Sequence, residues 1–106
     1  MKRINFSYSW NNKLVCNSYT TLRIANANKY QVGSEYEVYL KGARIHNAAI
    51  VDIKELSSVM KINEFIAHID TGYNYNETIE VIRKMYPKLN LETKPFYLIL
   101  LKVIKS

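Results

Sequence analysis

A chain of 106 residues with 48% apolar content can build one packed core but not two, and it is too apolar for wholesale disorder. Its net charge of +6 suits an anionic partner as well as plain solubility. One cysteine excludes an intramolecular disulfide, so a reducing cytoplasm is the simplest compartment.

The charge is unevenly spread. Residues 1–34 carry Lys2, Arg3, Lys13, Arg23 and Lys29 and no carboxylate, whereas residues 35–80 hold eight of the nine acids against four bases. Residues 81–106 return to basic character, with six bases against Glu92. If the two ends of the chain lie together, they form one basic face that attracts polyanions; the alternative is that the lysines only keep the protein soluble. The longest apolar run, Phe96 to Leu101, is far short of a membrane span, and the N-terminus lacks the apolar core of a signal peptide.

Residues 3–8 alternate, with Ile4, Phe6 and Tyr8 on one side, and predict a half-buried strand. Residues 9–13 are turn-rich. Trp10 in that loop is open to two readings, a stacking platform for a base or a plug at the loop's root. Cys16 has no CxxC partner and no activating neighbour, so a buried, inert thiol is expected. Residues 18–24 predict a strand in which Tyr19, Thr21 and Arg23 share one face and Ser18, Thr20, Leu22 and Ile24 the other. A polar linker, 25–28, and an extended arm, 29–33, lead through Gly33 into the alternating stretch 35–40. There Tyr36, Val38 and Leu40 share a face. Lys41-Gly42-Ala43 is a tight turn, and 44–53 returns as the second strand of a hairpin, with Ile45, Ala49, Val51 and Ile53 expected inward.

The period then changes to that of a helix over 60–69, where Ile62, Phe65, Ile66 and Ile69 share a face before Gly72. Asn74 and Glu77 have capping-box spacing at the start of a second helix, whose inner stripe is Ile79, Ile82 and the Met85/Tyr86 pair and which Pro87 stops. Residues 96–104 are apolar on both faces, which predicts a central strand. The expected architecture is a single α+β domain over 1–106: a small mixed sheet curled round one core, with two short α-helices.

For chemistry, no His or Cys pair has metal-ligand spacing, no glycine-rich phosphate loop exists and no serine nucleophile elbow is present, so neither a metal nor a cofactor is expected. What remains is Ser18, Thr20, Thr21, Arg23 and Asp70, with the aromatics Tyr8, Trp10, Tyr19, Tyr30 and Tyr73. A threonine hydroxyl two strand positions from a guanidinium suits a phosphate or a polar base edge. Aromatics beside bases suit single-stranded RNA. Equally, threonine and tyrosine are simply good strand formers.

Taken in order, the Thr20-Thr21-Leu22-Arg23 strand, Tyr30-Gln31-Val32-Gly33, Ala48-Ala49-Ile50-Val51-Asp52-Ile53, Asp70-Thr71-Gly72, Met85-Tyr86-Pro87 and the closing Phe96–Leu101 strand resemble the ASCH domain family. The likeness runs from about Phe6 to the end of the chain. It implies a PUA-like β-barrel and a cleft between the threonine–arginine strand and two helices. It also implies a link to RNA or a nucleotide-like ligand, bound here by Ser18, Tyr19, Thr21, Arg23, Trp10 and Asp70. Some members of the family are hydrolases, among them acetylcytidine amidohydrolases with a lysine, a threonine and a glutamate. Carried onto this chain, the threonine is Thr21, the arginine Arg23 and the acid Asp70. Ser18 stands where that pattern has its lysine, and serine replaces neither a cation nor an amine base. Lys13 is the nearest substitute, so an enzyme here would use Thr21, Asp70 and Lys13. Enzymatic activity is left open, and a protein-interaction module is the third reading.

Overall fold

The computed structural model describes residues 2–6, 9–58, 62–64, 66–67, 72, 74–88 and 93–104. Five strands form one mixed sheet: β1 (Lys2–Phe6), β2 (Ser18–Ile24), β3 (Glu35–Leu40), β4 (Ala43–Leu56) and β5 (Phe96–Ile104), in the order β1-β3-β4-β5-β2. A 3-10 helix, Trp10–Val15, joins β1 to β2, and an α-helix, α1 (Tyr75–Met85), precedes β5. Only the β1–β3 pair is parallel. The chain therefore lays down one edge of the sheet, crosses to the opposite edge with β2, and then fills the centre.

The two edges do not pair, but curvature brings them together through side chains. Phe6 of β1 meets Tyr19 of β2 edge-on, with ring centroids 6.1 Å apart. The Arg23 guanidinium of β2 lies 4.5 Å from the centre of the same Phe6 ring. The result is a half-barrel whose seam is closed by side chains in place of a ladder. Two irregularities in the β4 pairing, opposite Val38/Tyr39 and between Ile50 and Asp52, supply local bend and extra twist.

Those bulges also correct the expected phase of β4. Ala48 and Ile50 point into the core, while Ile45 and Val51 are 40% and 48% exposed. An inserted residue drops out of the alternation, so the inward face passes from Ile50 to Ile53 across a step of three positions where plain alternation has two. The β3–β4 hairpin has its expected inward set of Tyr36, Val38 and Leu40. It turns through Lys41 and Gly42, both at positive φ (52° and 84°), as a two-residue turn that matches strand twist requires. β5 is central, with β4 and β2 on its flanks, as its two-sided apolar character predicts.

The concave face buries Ile4, Phe6, Leu14, Tyr19, Tyr30, Tyr36, Val38, Ala48, Ile50, Ile99 and Leu101 in one cluster. On the other face, Leu22 and Phe96 pack with Ile62, Ala67 and Ile82, so α1 covers one end of the convex side. The α1 N-terminus has its capping box: Asn74 accepts from the Glu77 N–H at 2.9 Å, and the Glu77 carboxylate accepts from the Asn74 N–H. The helix expected over 60–69 lies largely outside the described residues. Glu64, Ile66 and Ala67 are helical there, with the Asn63 side chain accepting from the Ile66 N–H.

The first strand is Lys2–Phe6; residues 7 and 8 of the expected 3–8 lie outside the described residues. Two local expectations are corrected. The turn-rich loop after β1 is a 3-10 helix, in which Leu14 takes the buried position. Cys16, expected buried, is exposed: it caps that helix in extended conformation and its side chain faces out. Among the described residues no helix is long and apolar enough to cross a membrane.

A candidate anion pocket at the seam

The seam between the two sheet edges contains a pocket lined by Phe6, Lys13, Thr21, Arg23, the α1 side chains Thr78 and Ile82, and their neighbours. Each wall has a reason in the sequence. The alternation of β2 turns Tyr19, Thr21 and Arg23 to the concave side, and Thr21 is 3% exposed. The 3-10 helix rolls Lys13 and Leu14 inward together and leaves Val15 out, so Lys13 is 5% exposed. Thr78, Ile82 and Met85 are spaced along one flank of α1, so the pocket sees the side of the helix and not its charged end.

Arg23 is held from two directions. Its Nε donates to Thr21 Oγ1 at 3.0 Å, and its guanidinium lies over Phe6. Among the described residues no acceptor is bonded to its Nη groups. The Lys13 Nζ lies 5.7 Å from the centre of the same Phe6 ring. One buried ring therefore gathers two cations, and no carboxylate lines the pocket among the described residues. The charge of Arg23 is felt by three phenols. Burial pushes the Tyr19, Tyr30 and Tyr86 hydroxyls above their ordinary pKa, and Arg23 pulls each part of the way back.

The enclosed space is about 40 Å³, room for roughly three water-sized centres. That is the scale of a small oxyanion and not of a whole nucleoside. Among the described residues every buried side-chain nitrogen or oxygen has a partner. The pocket is thus a finished part of the fold, with two cations and no carboxylate among its described lining residues. Among the described residues no three His, Cys, Asp or Glu side chains converge as they would on a metal.

Of the residues singled out from the sequence, Lys13, Thr21 and Arg23 are brought together. Ser18 is not: it is exposed at the opposite end of β2, paired with Lys102. Tyr19 is buried in the concave core, its hydroxyl 2.7 Å from His46 Nε2, and so offers no free ring face at the pocket. Trp10 opens the 3-10 helix, and its side chain lies outside the described residues. Asp70, Tyr8 and Tyr73 lie there entirely. The sequence reading missed Phe6 as the ring under the cations, and Thr78. Phe6 was legible as an inward residue; that it faces β2 depends on the sheet order, which alternation does not encode. Thr78 lies four residues before Ile82, on the apolar stripe of α1, and that spacing was the available signal.

No family model, curated protein or solved structure matches the chain.

Proposed function

We propose that the seam pocket binds a phosphate of RNA or of a nucleotide-like ligand, on a PUA-like domain of ASCH type spanning the whole chain. The observation that carries this reading is the Thr21–Arg23 pair: a guanidinium fixed at Nε by a buried hydroxyl, beside Lys13, in a pocket with no carboxylate among the described residues. Fixing Nε removes much of the ordering cost that a free arginine meets on binding, and the Nη groups give the bidentate geometry that phosphate oxygens accept. The half-barrel supports the family reading in outline. An acid at Asp70 would close the site by pairing with Arg23 or with a base donor.

The test is a titration with short single-stranded RNA at 50 and 200 mM salt. Arg23→Ala removes a charge-assisted contact of about 1.5–3 kcal/mol, so affinity falls at least about tenfold. Lys54→Ala, on the convex face, leaves it unchanged. Equal effects of the two substitutions would remove the site. Absence of binding at the lower salt would turn the reading toward a protein-interaction module.

A second reading, a hydrolase of a modified nucleoside or of RNA, is favoured by one observation: Lys13 lines the same pocket as Thr21. The amine that Ser18 lacks would then come from the 3-10 helix, with Thr21 as nucleophile and Lys13 as its base. Hydrolysis of acetylcytidine to cytidine and acetate by the wild type, lost in Lys13→Met, is the expected signature. Ligand binding without turnover would leave only the first reading.

A further inference from the structure

A second hollow, of about 440 Å³ and broadly open, lies along β1 and the β2–β3 turn, lined by Lys2, Arg3, Asn5, Asn26, Asn28 and Lys29. Among the described residues it holds three cations and three amides, with no acid and no apolar side chain. Asn5 also lines the seam pocket, so the two hollows meet at one residue.

The cations of this platform are tethered. Lys2 Nζ donates to the main-chain carbonyls of Asn28 and Lys29, which ties β1 to the turn. The turn is itself built on Asn26, whose Oδ1 accepts from the N–H groups of Asn28 and Lys29, both at 3.1 Å. Arg3 lies over the Tyr39 ring at 4.6 Å, and Lys29 over Tyr30 at 5.4 Å. Aromatic faces thus carry two of the three charges at fixed places on an open surface.

From this arrangement we infer that the ligand is a strand and not a single nucleotide: a single-stranded polynucleotide sets one phosphate in the Arg23 pocket and runs across Asn5 onto the Lys2/Arg3/Lys29 platform. The inference rests on the anion reading of the seam pocket and adds a length and a direction to it. The seam pocket admits one phosphate-sized group, so further negative charge must lie outside it. The neighbouring hollow whose described lining is cationic is this platform; Glu37, the register partner of Arg3, is engaged by Arg44 at 3.5 Å. Asn5 and Asn28 carry donor and acceptor on one side chain, and Asn26 adds its amide donor, which suits the exposed edges of unpaired bases. It has no apolar wedge to enter a lipid surface, which favours a polynucleotide over a membrane.

The test compares a nucleoside monophosphate with a single-stranded RNA octamer by calorimetry over 50–200 mM salt, using wild type, Arg23→Ala and the double variant Arg3→Gln/Lys29→Gln. The double variant keeps Lys2 and its bonds to the turn, and its circular dichroism and melting midpoint serve as the check on folding. In the wild type the octamer binds at least about tenfold more tightly than the monophosphate, since several phosphates are engaged. In the double variant that advantage is lost, the slope of log affinity against log salt falls by about 1.4 for two lost contacts, and monophosphate binding is unchanged. Equal wild-type affinities for the two ligands, or a double variant with unchanged octamer affinity and slope, would overturn the inference while leaving the pocket standing. If Arg23→Ala changes neither ligand's binding while the double variant loses the octamer, the pocket reading fails and the strand as drawn here fails with it. The platform would then bind RNA alone.

Discussion

The two faces of the sheet are closed by different chemistry. The convex cluster is wholly apolar at its centre: Leu22, Ile62, Ala67, Ile82 and Phe96. The concave cluster buries three tyrosines, Tyr19, Tyr30 and Tyr36, among its aliphatic residues. Two of their hydroxyls have defined partners, Tyr19 with His46 and Tyr36 with the β2–β3 turn. A purely apolar face is held by area alone and has no direction to it. A face with phenols is held by area and also fixes what lies at its rim, because each hydroxyl bonds defined partners at defined distances. The concave rim is where Arg23, Lys13 and the Asn26–Lys29 turn are found. The candidate site lies where this rim meets the α1 flank of the convex cluster, which supplies Ile82 to the same pocket.

The largest effect that would break this contrast is on the convex side. Phe96 is fully buried, with Leu22, Ile82 and Ala67 in its cluster and the Tyr86 ring edge-on at 6.2 Å. Phe96→Ala is expected to cost about 3–5 kcal/mol in urea unfolding, a large share of the stability of a domain this size. A loss below about 1 kcal/mol would mean that the convex cluster is not a true core.

On the concave side the informative change leaves the packing alone. Tyr36 Oη donates to the Lys29 carbonyl at 2.7 Å and accepts from the Gln31 N–H at 3.0 Å. Tyr36→Phe keeps the ring and strands both partners, for an expected loss of about 1–3 kcal/mol. It also frees the turn that carries Lys29, so amide exchange of Gln31 and its neighbours should quicken beyond the global change. Exchange that rises uniformly would show that the hydroxyl does not pin the turn.

The same contrast explains what could be read from the sequence. The hairpin, the face of β2, the centrality of β5 and the capping box at Asn74 were all legible, since each rests on spacing within a few residues. Thr21 and Arg23 were legible as neighbours on one strand face for the same reason. What was not legible depends on two edges meeting across the barrel. Phe6 and Arg23 are seventeen positions apart and lie on strands that do not pair. The inward turn of Lys13 and the outward turn of Cys16 depend on a 3-10 helix of six residues, too short for its period to show. The phase error in β4 has a similar origin: a bulge adds a residue without any mark in composition, and Ile45 and Val51 are as apolar as the residues that replace them in the core.

The smallest effect concerns the other concave hydroxyl and appears only as a dependence on pH. Tyr19 is buried and its pKa is pushed up by that burial, so its hydroxyl keeps its proton and shares a hydrogen bond of 2.7 Å with His46 Nε2. Burial, aided by the Arg44 charge, holds the His46 pKa below the ordinary value, so the fold favours the neutral ring. The unfolded chain therefore binds a proton at His46 more readily than the folded one. Stability from His46 is complete above its ordinary value of about 6.5 and declines as pH falls through that value toward the depressed folded one. The melting midpoint is expected to drop between pH 7 and 5, and His46→Gln, which still offers Tyr19 an acceptor, should flatten that part of the curve. A wild-type midpoint that rises on acidification would reverse the sign and place the charged imidazolium in the fold. The Nε2–H of that imidazolium would then donate to the Tyr19 oxygen, so the same pair would hold the concave face together with the histidine charged and the hydroxyl accepting.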